Sequence, residues 1–434
     1  MSKLHQLIQT IQSDLNPSTE RGNLVRSAGA TLAINVSYVL IGFFASLLYA
    51  RILGPHDYGL YAYVIACSQV LIIPSGLGLS SYLVRESAKT PRSLLWLLHW
   101  ADARIMIAGL IAAALMACAA LIPAGAGARV LFLIAAPLPL LTNLGAVRKA
   151  LVQGHGWVAR SQWPQTILAP GLALLAIASL WLWQGAFTTT ELMSVTVLAL
   201  LPTIAVNSLQ LRMAVTGAPA LEPAPVFLRS ALPFVWLNGM YLINSRVDVI
   251  LLGSLRGARD AGIYAIAVRA AELVPYLMIV ANLTIAPKIS RLYRDGKLEQ
   301  LQRLTTATAI RVLAITLPFA LALILGARIL LDLFYGSRFS EGANVIRILA
   351  LSQLIVVAVG PVGVLLTMTR HANLSAKAFS MGAVLNIVLN LILIPYFGIV
   401  GAALATGIST SSSYLLCWYI VRRKLALRPS FLGV

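Results

Sequence analysis

Predominantly apolar stretches of about 20 residues recur twelve times along this chain, and that recurrence leaves few folds open. A run of that length crosses the hydrocarbon of a bilayer as a helix. In lipid every backbone N–H and C=O must be satisfied within the structure, so only helices or closed barrels can span it. The runs fall at 27–50, 60–84, 95–121, 129–151, 163–183, 190–212, 229–253, 262–286, 307–331, 343–368, 375–395 and 399–421. The fourth contains Pro137 and Pro139, an interruption that neighbouring helices or cavity water can satisfy. Of the 434 residues 59% are hydrophobic and 11% charged, where a soluble domain carries about a quarter charged. The expected fold is therefore an all-α integral membrane protein.

Charge tests the arrangement independently. With the N-terminus on the cytoplasmic side, the inner segments hold 23 lysines and arginines and the outer segments 7: Arg51, Arg129, Arg256, Arg259, Arg328, Arg338 and Arg347. Three more, Arg104, Arg246 and Arg269, are assigned to neither side because they lie deeper inside the apolar runs than the others. This bias explains the net charge of +19 better than nucleic-acid binding does, and it places both termini in the cytoplasm. Residues 1–20 carry Leu4, Leu7, Ile8, Ile11 and Leu15 at helical spacing, which reads as an amphipathic surface helix or a flexible tail ended by Asn16-Pro17. The three cysteines, Cys67, Cys118 and Cys417, lie in apolar runs without metal or redox spacing and read as packing residues.

The chain also repeats itself. DYGLYA at 57–62 returns as DAGIYA at 260–265, and at the same offset 11 of 37 positions match between 26–62 and 229–265, against about 3 expected by chance. Six runs separate the copies, so the halves share one orientation in the membrane. The expected organisation is a six-helix N-terminal lobe (21–213), a proline-bearing linker (214–228), a six-helix C-terminal lobe (229–422) and a basic tail (423–434). The lobes would be related by a parallel pseudo-two-fold axis. Gly54 and Gly59, with Gly257 and Gly262, would supply tight turns, and Asp57 and Asp260 would cap the helices that follow. Both hexapeptides read as fold determinants.

Five stretches, YARILGPHDYGLYAY (49–63), GLGLSSYLVRE (76–86), VDVILLG (247–253), AGIYAIAVRAAEL (261–273) and LNIVLNLILIPYFGIVGAALAT (385–406), resemble Wzx-type polysaccharide flippases. These belong to the multidrug/oligosaccharidyl-lipid/polysaccharide (MOP) exporter superfamily. The resemblance implies a MATE-like bundle of six plus six helices with a central cavity, in a bacterial cytoplasmic membrane. It implies movement of an undecaprenyl-diphosphate-linked oligosaccharide from the inner to the outer leaflet by alternating access, for O-antigen or exopolysaccharide synthesis. Polysaccharide polymerase and assembly proteins would be partners, besides membrane lipids. One departure is Gly76, where many members carry an acidic residue.

Nothing in the chain suggests catalysis: there is no GxxxxGK[ST] phosphate loop, and the five histidines are scattered without metal spacing. The informative residues are charges inside the runs, which are expensive in lipid and usually face a cavity or a partner. Arg269 and Glu272 stand i, i+3 and can meet; Asp102/Arg104 and Arg246/Asp248 stand i, i+2 and point apart. Arg246 and Asp248 have no counterpart in the first repeat, where Phe43 and Ala45 align. For a diphosphate headgroup the candidates are Arg269 and Arg246, with Arg26 or Arg85 at the inner entrance, because the guanidinium fork suits phosphate oxygens. Asn35 and Asn238 are candidates for sugar hydroxyls or for helix–helix bonds, as are Asn386 and Asn390. No cofactor is expected. Proton or sodium coupling would need a carboxylate, and Asp248, Glu272 and Asp102 are the in-helix candidates. The competing readings are a cation-drug antiporter of the same superfamily, a flippase for the peptidoglycan lipid precursor (a relative usually of fourteen spans), and a membrane scaffold.

Overall fold

A computed structural model describes residues 20–89, 94–121, 126–215 and 232–431; the side chains at 20–28, 32, 89, 126 and, Gly239 apart, 232–244 lie outside that description. So do the expected N-terminal segment to residue 19 and the linker from 216 to 231. The described backbone is mostly helical, and the described part of each of the twelve apolar runs falls largely on helix. The first helix, Glu20–Ser75, breaks at Gly54 into α1 (20–53) and α2 (55–75). Then come α3 (Leu79–Lys89), α4 (Leu94–Ala119), α5 (Ala126–Ala135), α6 (Leu138–Gly154), α7 (Val158–Gln184) and α8 (Thr189–Ala214). The second half holds α9 (Leu232–Leu255), α10 (Ala258–Ala271), α11 (Tyr276–Arg294), α12 (Leu298–Phe334), a 3₁₀ turn (Ser337–Gly342), α13 (Ala343–Val359) and α14 (Val362–Met368). The last helix, Ala372–Leu425, breaks at Gly398 into α15 (372–397) and α16 (399–425).

Eight of these helices are long and apolar enough to cross a membrane, and a ninth if the bent pair α10–α11 is one span. Two of the eight are the glycine-broken helices, and α9 adds another apolar segment, so the count agrees with twelve. The fourth run breaks where its prolines predict, between Ala135 and Leu138. The eighth is bent where the sequence suggests a straight span: α10 ends at Ala271, and α11 leaves at 49° after the Glu272–Pro275 turn.

By packing, the chain forms two compact units, Met1–Ala45 with Leu71–Val235 and Ser46–Val70 with Trp236–Val434. Residues 46–70 therefore pack with the second half of the sequence. In the first unit α4 is apolar along most of its length, with His99, Asp102 and Arg104 as its exceptions. Leu94, Leu97, Ala101, Ile105, Gly109, Ala112 and Met116 are buried along one face, which packs on α6. The opposite face leaves Ile107 65% and Ile111 58% exposed, a surface that only lipid can cover. Where α2 ends at Ser75, Asn143 on α6 donates to the Ile72 carbonyl (3.0 Å), which also accepts from the Gly76 N–H (2.9 Å), and to Ser75 Oγ (2.9 Å). A Cβ at Gly76 would stand 2.8 Å from the Asn143 amide oxygen. The space beside Gly76 is thus filled by a neighbouring amide.

The repeat shows its physical purpose in the second unit. Gly54 (φ 75, ψ 177) and Gly257 (φ 99, ψ 172) adopt the same left-handed conformation before α2 and α10, which only glycine takes cheaply. The other two glycines of the motif are not turn residues. Gly59 and Gly262 lie within helices and face each other: a Cβ on Gly262 would stand 2.9 Å from Gly59 Cα and overlap the Pro55 carbonyl, and one on Gly59 would overlap that of Ala258. The two copies of the hexapeptide therefore cross in backbone contact, as small residues allow in membrane helices. Nor do the repeated aspartates cap their helices. Asp260 lies in the first turn of α10 and pairs with Arg256 (3.5 Å), while Asp57 bonds His56 (2.9 Å). At the other end of the chain, the tail docks along α12: Gln302 exchanges two bonds of 2.6 Å with the Arg428 backbone.

Candidate functional site

α9 carries Asp248 into the interior of the second unit, where it is 3% exposed. Its position follows from the helix: sixteen residues past Leu232, it lies about 24 Å along α9 at about 1.5 Å per residue. Three donors converge on the carboxylate. The Tyr264 hydroxyl on α10 donates to Oδ2 at 2.5 Å, the Thr406 hydroxyl on α16 to the same oxygen at 3.0 Å, and the Val249 N–H to Oδ1 at 3.2 Å. Behind Thr406 the chain of donors continues. Asn386 on α15 donates to Thr406 Oγ1 (3.2 Å) and Ser409 Oγ (3.1 Å), and Asn390 donates to the Asn386 amide oxygen (3.1 Å). Asn386, Asn390 and Ser409 are fully buried, and the Asn390 amide oxygen has no partner.

The Tyr264, Thr406 and Val249 bonds end on Asp248, while Ser409 passes its proton to the Thr406 carbonyl, and every donor to the carboxylate is neutral. The ion pairs among the described residues involve other carboxylates. A buried carboxylate with neutral donors and no countercharge is an expensive arrangement in its ionised form. It can be relieved by a proton or by a small cation, so the cluster has two chemically distinct states available.

The other expected site residues fall elsewhere. Arg246, two residues before Asp248, is half-buried with its Nε enclosed and without a partner. Arg269 sits in the last turn of α10 and Glu272 at its C-cap, both exposed, at the break before α11. The Arg269 guanidinium lies near the hydroxyls of Tyr49 and Tyr335. It is about 16 Å along α10, and broken helices near the bilayer midplane are where transporters commonly place their sites. Asn35 donates to the Thr31 carbonyl one turn back (2.8 Å), a bond within its own helix. Arg85 is exposed, its guanidinium 5.5 Å from the Tyr82 ring centroid. The side chains of Arg26 and Asn238 lie outside the described residues.

In the first unit, Asp102 belongs to a different constellation. Arg148 on α6 grips it with two bonds (2.9 and 3.0 Å) and reaches Ser208 on α8 through Nε (2.9 Å). The pair ties three helices, with side chains 15% and 24% exposed. Arg148, counted as an inner-loop charge from the sequence, is thus an internal clamp. Arg104 turns away and lies over Trp100, 4.0 Å from its ring centroid. Arg148→Ala is expected to cost about 2–4 kcal/mol, because it leaves the Asp102 charge in a largely enclosed place. Adding Asp102→Ala should recover part of the loss. Unfolding curves in detergent check both.

Sequence reasoning did not single out Tyr264, Thr406 or Ser409. Tyr264 was visible as the fifth residue of the repeated hexapeptide and Thr406 as the last residue of the 385–406 stretch. What neither showed was that they meet Asp248.

The family model described as polysaccharide biosynthesis protein matches residues 24–293, well over half of the chain, and a second, MatE, matches 233–392. Among characterised or named proteins, the chain is 26% identical over 172 residues to the probable low-salt glycan biosynthesis flippase Agl15 of Haloferax volcanii, covering 40% of this chain and 36% of that one. It is 28% identical over 197 residues to the probable flippase AglR of the same organism (44% and 41% covered). It is 23% identical over 200 residues to the capsular polysaccharide biosynthesis protein CapF of Staphylococcus aureus (44% and 48%). The matched region spans less than half the length of each of these relatives. Among solved structures, an inward-facing MATE-family multidrug resistance transporter of the MOP superfamily aligns with TM-score 0.71 at 16% identity, covering 92% of this chain and 98% of that one. The lipid II flippase MurJ, in an inward closed conformation, aligns at 0.66 with 17% identity, covering 92% and 87%. At such identities the likeness speaks for the fold. The fold is the one these structures share, all-α as expected, and the chain belongs to the polysaccharide biosynthesis protein family.

Proposed function

We propose that this protein is a flippase that carries a polyprenyl-diphosphate-linked oligosaccharide from the inner to the outer leaflet of a bacterial cytoplasmic membrane, by alternating access, with both termini cytoplasmic. The observation that carries this reading is the family match over 24–293. Relatives bearing the name flippase and a capsular polysaccharide protein support the substrate class. O-antigen or exopolysaccharide synthesis, with a polymerase as partner, is the pathway such a carrier would serve. Arg269, at the break of a spanning helix, is positioned to hold a diphosphate with its planar fork. Asp248, with its ring of neutral donors, is the carboxylate whose occupancy by a proton or sodium ion would drive the cycle. Moving one charge against the membrane potential is worth about 2.3 kcal/mol per 100 mV, so such coupling has the right scale.

Binding separates this reading from a cation-drug antiporter. The purified protein should bind a short-chain polyprenyl-diphosphate oligosaccharide saturably, and Arg269→Ala should weaken that binding at least about tenfold. Tight binding of an organic cation such as tetraphenylphosphonium, with no response to the diphosphate, would favour the antiporter instead.

A further inference from the structure

The end of α1 and the segment after α12 border an open cavity of about 360 Å³ in the second unit, with neither Asp248 nor Arg269 in its lining. It is lined by Ala50–Ile52, Gly54 and Tyr335–Phe339. Its volume falls within the range of small-ligand pockets. Two of its walls are arginines, Arg51 and Arg338; both are exposed, and neither pairs with a carboxylate or bonds another group among the described residues. Two arginines at the rim of one concavity, neither engaged by a carboxylate, supply positive charge that a phosphate-type anion can match. The rest of the wall is rigid or open. Tyr335 and Phe339 are buried and packed together (centroids 6.2 Å apart), and the Tyr335 hydroxyl is held by Ser46 (3.2 Å). Gly54 and Gly336, both at positive φ, present no side chain to a ligand, and the exposed Ser337 adds a hydroxyl.

The surroundings are positive too. A second cavity of about 320 Å³ on the adjoining 337–347 stretch is lined by Arg328, Ser340, Glu341, Asn344 and Arg347. Its carboxylate is already engaged by Arg259 (2.7 Å). Of the seven basic residues expected on the outer side, six lie in this unit, and all seven are arginine. The planar guanidinium matches phosphate oxygens in pairs, where an ammonium acts as a point charge.

We infer that the Arg51–Arg338 cavity is a binding site for a phosphate or diphosphate ester at the outer face of the membrane. In the proposed cycle this would be the headgroup of the lipid-linked product as it is released, a deepening that rests on the flippase reading and its orientation. The same chemistry is offered by anionic phospholipids of the outer leaflet.

Arginine footprinting tests it on the intact chain. The protein in phosphatidylcholine nanodiscs is treated with phenylglyoxal, and modification is followed by mass spectrometry with geranyl diphosphate, with geraniol, or with phosphatidylglycerol in the bilayer. The diphosphate is expected to slow modification of Arg51 and Arg338 at least about fivefold, leaving exposed Arg303 unchanged, and geraniol is expected to have no effect. Protection by phosphatidylglycerol alone would keep a phosphate-ester site and assign it to membrane lipid. No protection by either, or equal protection by geraniol, would overturn the site. Loss of the site would leave the flippase reading standing if leaflet transport persists, so the two fail separately.

Discussion

Asp248→Asn is expected to lower transport at least about tenfold while leaving the melting temperature within about 3 °C of the parent. The amide oxygen of asparagine can still accept from Tyr264 and Thr406, so the packing of α9 against α10 and α16 survives. What it cannot do is gain or lose a proton, or offer a full negative charge to a cation. Asp248→Ala makes the useful contrast. It removes the shared acceptor of the Tyr264 and Thr406 hydroxyls, which lie 3.3 Å apart and can satisfy only one donor between them. A buried hydroxyl left unpaired costs about 1–3 kcal/mol, so the substitution should lower stability and transport together. Rates at several proton and sodium gradients, with melting curves for the same samples, separate the cases. If the asparagine variant transports normally and still responds to an ion gradient, Asp248 is only a strut between helices.

The largest structural effect is expected at the crossing of the repeats. Gly262→Val should cost more than about 3 kcal/mol, above the usual range for overpacking, because the added carbon meets backbone instead of a side chain that can swing away. The obstacles are the Pro55 carbonyl and Gly59 Cα, so α2 and α10 must separate along the crossing. Gly59→Val meets the Ala258 carbonyl from the other side and should cost a similar amount. The double substitution should cost less than the sum, since helices already forced apart accommodate the second side chain more easily. Unfolding midpoints of the single and double variants in one detergent decide it. Additive effects would mean that the two glycines do not share a contact.

These two sites also mark what can be read from the sequence. Hydropathy located the helices because lipid imposes one requirement on every span, and the prolines at 137 and 139 marked a real break. The duplication was visible, and its meaning was half visible. Gly54 and Gly257 are the turn residues expected of them, while Gly59 and Gly262 serve a contact that no single helix reveals. The break between α10 and α11 was hidden inside an uninterrupted apolar run, since Pro275 alone does not decide between a kink and a start. Asp248 stood out as a charge with no counterpart in the first repeat. Its partner Thr406 lies 158 residues away, a distance that periodicity cannot bridge. Arg148 looked like a loop charge because it lies near the end of an apolar run; only the packing of α4 on α6 shows that Asp102 needs it.

The central claim is that this chain moves a lipid-linked sugar between leaflets, and leaflet exposure measures it directly. Liposomes containing the purified protein and a fluorescent, short-chain polyprenyl-diphosphate oligosaccharide are treated with a membrane-impermeant quencher. The account predicts that the protected inner-leaflet fraction becomes accessible far faster than in protein-free liposomes, and faster still under a proton or sodium gradient. Exposure no faster than in empty liposomes, while the same protein exchanges an organic cation for protons, would contradict it.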